Sequence, residues 1–142
     1  MKITYERGLL INALQGFYLC HCITSDFIAM TDTTEDIFRA FNMREKLIHI
    51  HGNGVVGEAF LVDNVFNLIT IDMFNSDEET EDELFKALEE ALFDMRYQMR
   101  ENMITNLALS MADFFPEISW ENAKAIIEHV FEDMDVNIVV LS

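Results

Sequence analysis

Three groups of residues have types and spacings that could do chemistry. Gly52-Asn53-Gly54-Val55-Val56-Gly57 fits the pattern G-x-G-x-x-G. In that pattern the glycines let a tight turn bring backbone amides against a pyrophosphate, and an acid about 20 residues on holds the ribose. Asp72 lies 20 residues after Gly52 and could play that part. The pattern works only between a strand and the start of a helix. Leu47–His51 reads as the strand, but Glu58–Asn67, with its Val and Phe and its Asp63-Asn64 turn pair, reads as strand and turn. The expectation is therefore a glycine-turned hairpin. A dinucleotide-binding enzyme using Gly52, Gly54 and Gly57 is the alternative.

Cys20-His21-Cys22 and His49-Ile50-His51 are the second group. On strands, residues i and i+2 share a face, so two thiols and two imidazoles could in principle converge on zinc. Structural zinc sites, however, use C-x₂₋₄-C knuckles rather than C-x-C. The reading adopted is small buried cysteines, with His49 and His51 on the solvent side of a strand whose Ile48 and Ile50 face inward. No metal and no cofactor are expected. His129 reads as a surface histidine.

The third group is acidic. Asp72, Asp77, Glu78, Glu79, Glu81, Asp82, Glu83, Glu89, Glu90 and Asp94 stand against the single Lys86 in that stretch, within a chain of formal charge −17. So strong a field of one sign costs the compact state self-repulsion, and it can steer the protein onto a positive partner. With only 9 Lys and Arg, direct nucleic-acid binding is excluded as an expectation. On a helix, Phe93 and Tyr97 lie four residues apart on the side that carries Glu89, Glu90, Asp94 and Glu101, which is the composition of an anchor with a polar rim. The candidate partner-binding residues are Asp77, Glu78, Glu79, Glu81, Asp82, Glu83, Glu89, Glu90, Phe93, Asp94 and Tyr97. The last helix adds Glu117, Glu121, Glu128, Glu132, Asp133 and Asp135. No catalytic signature such as a Walker A loop, H-E-x-x-H or G-x-S-x-G occurs.

These residues must be carried by elements. At 142 residues, 51% of them hydrophobic and with mean hydropathy +0.13, the chain can bury a core as one domain spanning 1–142. Apolar spacing from Tyr5 to Phe17 predicts an amphipathic helix over 4–18, with a short buried strand over Phe17–Ile23 as the other option. Phe27–Met30 reads as a brief strand, followed by a short helix capped by Thr33 or Thr34 and carrying Ile37, Phe38 and Phe41. Leu47–His51, Val55–Val62 and Val65–Phe74 read as strands of an antiparallel meander. Thr80 and Glu83 have capping-box spacing and open a long helix. Its stripe (Leu84, Leu88, Ala91, Leu92, Met95, Met99, Met103, Leu107, Met111) runs to Phe114, with a break near Asn102 as an option. Pro116 ends it. Ser119 caps a last helix, and Val136–Leu141 reads as a strand buried on both faces.

The expected class is α+β: a small antiparallel sheet, a meander of about three to five strands, packed by the long acidic helix and two or three others. The apolar run Gly8–Ile23 is too short and polar to span a bilayer, and the two cysteines cannot staple a fold, so a cytoplasmic protein is expected. In size and charge alone the chain is similar to the small acidic phage inhibitors of restriction and CRISPR nucleases. That resemblance implies an inhibitor docking on the basic, nucleic-acid-binding surface of a nuclease or regulator. An immunity protein or antitoxin against one toxin is the neighbouring alternative. No catalysis is expected, and the partner expected is a basic protein.

Overall fold

The structure is a computed structural model that describes residues 1–13, 15–72, 80–114 and 118–142. Six strands form one sheet in the order β1-β6-β5-β2-β4-β3. They are β1 (Lys2–Glu6), β2 (Tyr18–Thr24), β3 (Ala59–Val62), β4 (Val65–Ile71), β5 (Asn106–Ser110) and β6 (Asn137–Leu141). Every neighbouring pair runs parallel except β3 with β4. Helices α1 (Asp32–Phe41) and α2 (Met43–His51) cover one face, and α3 (Glu81–Glu101) and α4 (Trp120–Phe131) the other. The expected α+β meander is thus replaced by an α/β sandwich with a mostly parallel sheet.

Strict alternation along the strands builds the two layers. Cys20, Phe66, Leu68, Leu107, Leu109, Ile138 and Val140 face α3 and α4, where they meet Leu88, Leu92, Met95, Ile127 and Phe131. Leu19, Ile23, Val65, Ile69, Ala108 and Val139 face the other way, toward Ile37, Met43 and Leu47. A strand covered on both sides has no polar face to show, which is why β4 is buried at all seven positions.

The corrections have local causes. Residues 4–18 do not form a helix: β1 pairs with β6, a 3-10 turn spans Leu10–Asn12, and Tyr18–Thr24 is the strand that the short option had placed there. Helical spacing of apolar residues there reflects one strand and a crossover laid end to end. Leu47–His51 is the end of α2. Met43 and Leu47, four apart, are buried, whereas Ile48 and Ile50 are exposed rather than inward-facing. Phe27–Met30 forms no strand, and the N-cap of α1 is Thr31, whose hydroxyl accepts from the Thr34 amide at 3.2 Å. The strand expected over 55–62 narrows to 59–62.

Helix α3 opens on the predicted Thr80 cap but closes at Glu101, with Met103 left-handed at φ 56°. Leu107 and Met111 therefore continue the stripe from a strand and a 3-10 turn. Ser119 caps α4 as expected, and β6 is the doubly buried strand. Asp63, at φ 56°, makes the tight β3–β4 turn that Asp63-Asn64 predicted.

Candidate functional site

The connections single out one place on the sheet. The chain leaving β2 passes through α1 and α2 on one face to reach β3 and β4. The chain leaving β5 passes through α4 on the opposite face to reach β6 on the other side. Adjacent strands whose exits diverge leave a crevice at their carboxyl ends, where open α/β sheets bind ligands.

At that point lies a buried polar cluster. Asp113, in the 3-10 turn after β5, is 4% exposed. Its Oδ2 accepts from the Cys22 amide at 2.6 Å, and its Oδ1 lies 2.9 Å from the Thr31 hydroxyl and 3.0 Å from that of Thr34. One carboxylate thereby ties the end of β2, the start of α1 and the end of β5 together. Below it, His21 is enclosed among β2, α1 and β4. Its Nε2 is 2.5 Å from Asn67 Oδ1 and its Nδ1 is 3.1 Å from Thr34 Oγ1. Asn67 Nδ2 donates to the carbonyls of Phe60 and Val65, which turns Oδ1 toward the ring and requires the proton on Nε2. Burial holds the His21 pKa below its usual value, while the Asp113 charge and the Asn67 hydrogen bond pull it back up. Burial likewise raises both thiols, with the Asp113 charge adding to it, which favours their protonated form.

The β2–α1 connection is shaped by tight hydrogen bonding. Thr24 Oγ1 donates to Asp26 Oδ1 at 2.6 Å and accepts from the Ile28 amide at 2.8 Å. Phe27, fully buried, is held left-handed at φ 62°, a conformation rare for a bulky residue and concentrated where a site is over-determined. The glycine motif supports this turn. Gly54 donates to the Ser25 carbonyl at 2.8 Å, and a Cβ there would sit 3.0 Å from Ile69 and 3.2 Å from Phe27. Gly52–Gly57 follows a helix and precedes the edge strand β3, so neither the dinucleotide loop nor the glycine-turned hairpin is present.

Several openings lie at this carboxyl end among the described residues, and two of them are large enough to admit part of a ligand. A shallow depression of about 360 Å³ is lined by Ala29, Met30, Thr31, Asp32, Glu35 and Ala112, among others. A more enclosed cavity of about 180 Å³ sits under the 7–17 crossover, walled by Leu9, Ala13, Phe17, Ala108, Val139 and Leu141, with Glu6, Arg7 and Asn12 supplying polar groups.

The sequence-predicted residues lie elsewhere. Asp77, Glu78 and Glu79 fall outside the described residues. Glu81, Asp82 and Glu83 are exposed in the first turn of α3, where carboxylates complement the helix dipole and Thr80 caps the Glu83 amide. Glu89 is half-buried, and Glu90 pairs with Lys86 at 3.8 Å and presses on Gly57. Asp94 accepts from the Ala59 amide at 2.7 Å, and Gln98 donates to the Ala59 carbonyl at 2.7 Å, so both serve the free edge of β3. Phe93 and Tyr97 are exposed, and they line a depression shared with Arg96, Arg100 and Glu101. Arg96 in turn pairs with Asp133 at 2.8 Å and lowers its pKa. Along α3 the first-turn acids and Tyr97 are separated by about 20 Å. They do not form one patch.

The cysteines and histidines do not converge either. Cys20 and Cys22 face α3 and α4, His21 faces the opposite layer, and His49 and His51 are exposed on α2, with His51 stacked on Phe60 at 3.8 Å. No group of three or more candidate ligands for a metal occurs among the described residues. Asp113, Thr31 and Thr34 were missed. Asp113 was hidden inside an overlong helix, and the Thr-Asp-Thr-Thr run at 31–34 was the one available sign of a hydroxyl-rich helix start.

Solved structures share this architecture across the whole chain. The macrodomain of Thermus aquaticus DarG is 19% identical, with TM-score 0.76 over 99% of this chain and 97% of that one. The macrodomain of Mycobacterium tuberculosis DarG is also 19% identical, with TM-score 0.76 over 98% and 96%. A mutant macrodomain from Oceanobacillus iheyensis is 10% identical, with TM-score 0.73 over 98% of this chain and 82% of that one. No protein-family model and no curated protein matches the sequence. The chain therefore has the macrodomain fold: a six-stranded, mostly parallel mixed sheet between four helices. That finding overturns the acidic nuclease inhibitor, the immunity protein and the Rossmann-type enzyme as readings of this sequence. No helix among the described residues is long and apolar enough to cross a membrane.

Proposed function

We propose that this chain is an ADP-ribose-binding domain that holds its ligand without turning it over. The observation that carries the reading is the pair of openings at the carboxyl ends of a macrodomain-type sheet. The apolar cavity under the 7–17 crossover suits a flat base, with Asn12 and Glu6 as polar partners. The depression at the start of α1 suits a ribose, whose hydroxyls donate to Asp32 or Glu35. Binding without turnover is supported by the state of the buried groups. Asp113 is already engaged by the Cys22 amide and the Thr31 hydroxyl, and His21 lies beneath it in the core.

The start of α1 is unusually acidic for a diphosphate ligand, carrying Asp32, Glu35 and Asp36. Affinity for ADP-ribose should therefore rise with salt, as screening relieves repulsion. Isothermal titration calorimetry of the full chain with ADP-ribose, ADP and AMP tests the reading. Saturable binding of ADP-ribose, lost in Val139→Phe because the ring fills the 180 Å³ cavity, is the expected result. No binding at on the order of 1 mM ligand would remove the proposal. Release of ADP-ribose from a modified protein by the chain would overturn the part of it that denies turnover.

A further inference from the structure

We propose that the free edge of β1 is a self-association surface, on which a second copy of this chain pairs antiparallel about a two-fold axis at Thr4. The two edges of the sheet are treated differently. On β3, the outward amide and carbonyl of Ala59 are occupied by Asp94 and Gln98 of α3. On β1, the backbone groups of Lys2 and Glu6 turn inward, because Lys2 N donates to the Val136 carbonyl at 2.9 Å and Ser142 N donates to the Glu6 carbonyl at 3.1 Å. Alternation then points the amides and carbonyls of Ile3 and Tyr5 away from the sheet. Among the described residues no helix covers that edge, and Tyr5 is 50% exposed.

Strand parity and side-chain chemistry choose the same register. Outward-facing residues must lie opposite one another to exchange both hydrogen bonds. Placing Thr4 on the axis sets Ile3 opposite the second copy's Tyr5, an outward pair that exchanges both bonds, and repeats this on the other side. The same register sets Lys2 opposite the second copy's Glu6 twice over, so the sequence Lys-Ile-Thr-Tyr-Glu is complementary to itself when reversed. Opposite charges and a β-branched–aromatic pair are favourable cross-strand neighbours. The faces agree as well: Ile3 and Tyr5 lie on the α4 side, where Tyr5 meets Trp120 edge-on at 6.3 Å, while Lys2, Thr4 and Glu6 share the other side. Charge favours the same place. Lys2 and Arg7 against Glu6 leave +1 over residues 2–7 of a chain whose total is −17, so two copies approach here with least repulsion. Such pairing is isologous and closes on itself.

Sedimentation equilibrium and light scattering of the full chain, at about 0.15 M salt to shorten long-range repulsion, provide the test. A mass of twice 16.5 kDa at high protein concentration is expected. Lys2→Glu and Glu6→Lys, each placing like charges opposite one another twice, should each weaken dimerisation about tenfold or more. The double variant Lys2→Glu/Glu6→Lys should restore it, and an equimolar mixture of the two single variants should form a heterodimer. Unchanged melting temperatures would confirm that the single variants fold. A chain that stays monomeric at every concentration overturns the proposal. So does a dimer indifferent to both charge reversals, or one that the double variant fails to rescue.

Discussion

Asp113 and His21 show how individual side chains gather the crevice from distant parts of the sequence. Asp113 meets Cys22 across 91 residues and His21 meets Asn67 across 46, so neither partner can be foreseen from local spacing. The imidazole is enclosed and neutral, with its pKa lowered chiefly by burial. In the unfolded chain it takes up a proton near its usual value of 6.5, whereas the folded chain resists that proton until lower pH. The stability it confers is complete above about 6.5 and is lost as pH falls below that value. Urea midpoints measured from pH 7.5 down to 5 should therefore decline more steeply for the natural protein than for His21→Gln. Parallel curves for the two would contradict a buried neutral ring.

At the scale of elements, the sequence was legible where a signal was local. Thr80 and Ser119 opened their helices, Asp63-Asn64 made its turn, and the apolar run ending at Leu141 became a doubly buried strand. It misled where a pattern crossed from one element to the next. Leu107 and Met111 extend the stripe of α3 because a strand lying under a helix presents apolar groups to the same layer. Ile48 and Ile50 alternate as in a strand, yet Met43 and Leu47 form the buried row of α2. The candidate site escaped for the same reason. It is assembled by parallel pairing of β2 and β5, whose contact residues lie some 90 positions apart in the chain. Asp94, one of the acids assigned to a partner, instead caps the edge of β3. Asp94→Ala leaves the half-buried Ala59 amide without its acceptor and should cost about 1–3 kcal/mol in a denaturant melt. A change within about 0.5 kcal/mol would show that water replaces it.

At the scale of the molecule, the acids of the described residues, in a chain of charge −17, have several separate structural settings. The first-turn acids of α3 complement its dipole, Asp94 and Glu90 meet the β3 segment, and Asp133 pairs with Arg96. Among the described residues four ion pairs are present, and three of them join well-exposed side chains, so these pairs offset little of the negative charge. Raising sodium chloride from about 20 to about 200 mM should accordingly raise the melting temperature, because screening shortens the reach of that repulsion. A melting temperature that fell over the same range would mean that the few ion pairs outweigh it.

The plugging of Ala59 by Asp94 and Gln98 bears on growth. A sheet extensible at both margins can add chains without end, as a fibril does. Here the first outward pair of β3, that of Ala59, is already taken by α3, so a strand added there forgoes two hydrogen bonds that β1 still offers. Growth through the strands is thereby biased toward a closed pair at β1 and away from polymer.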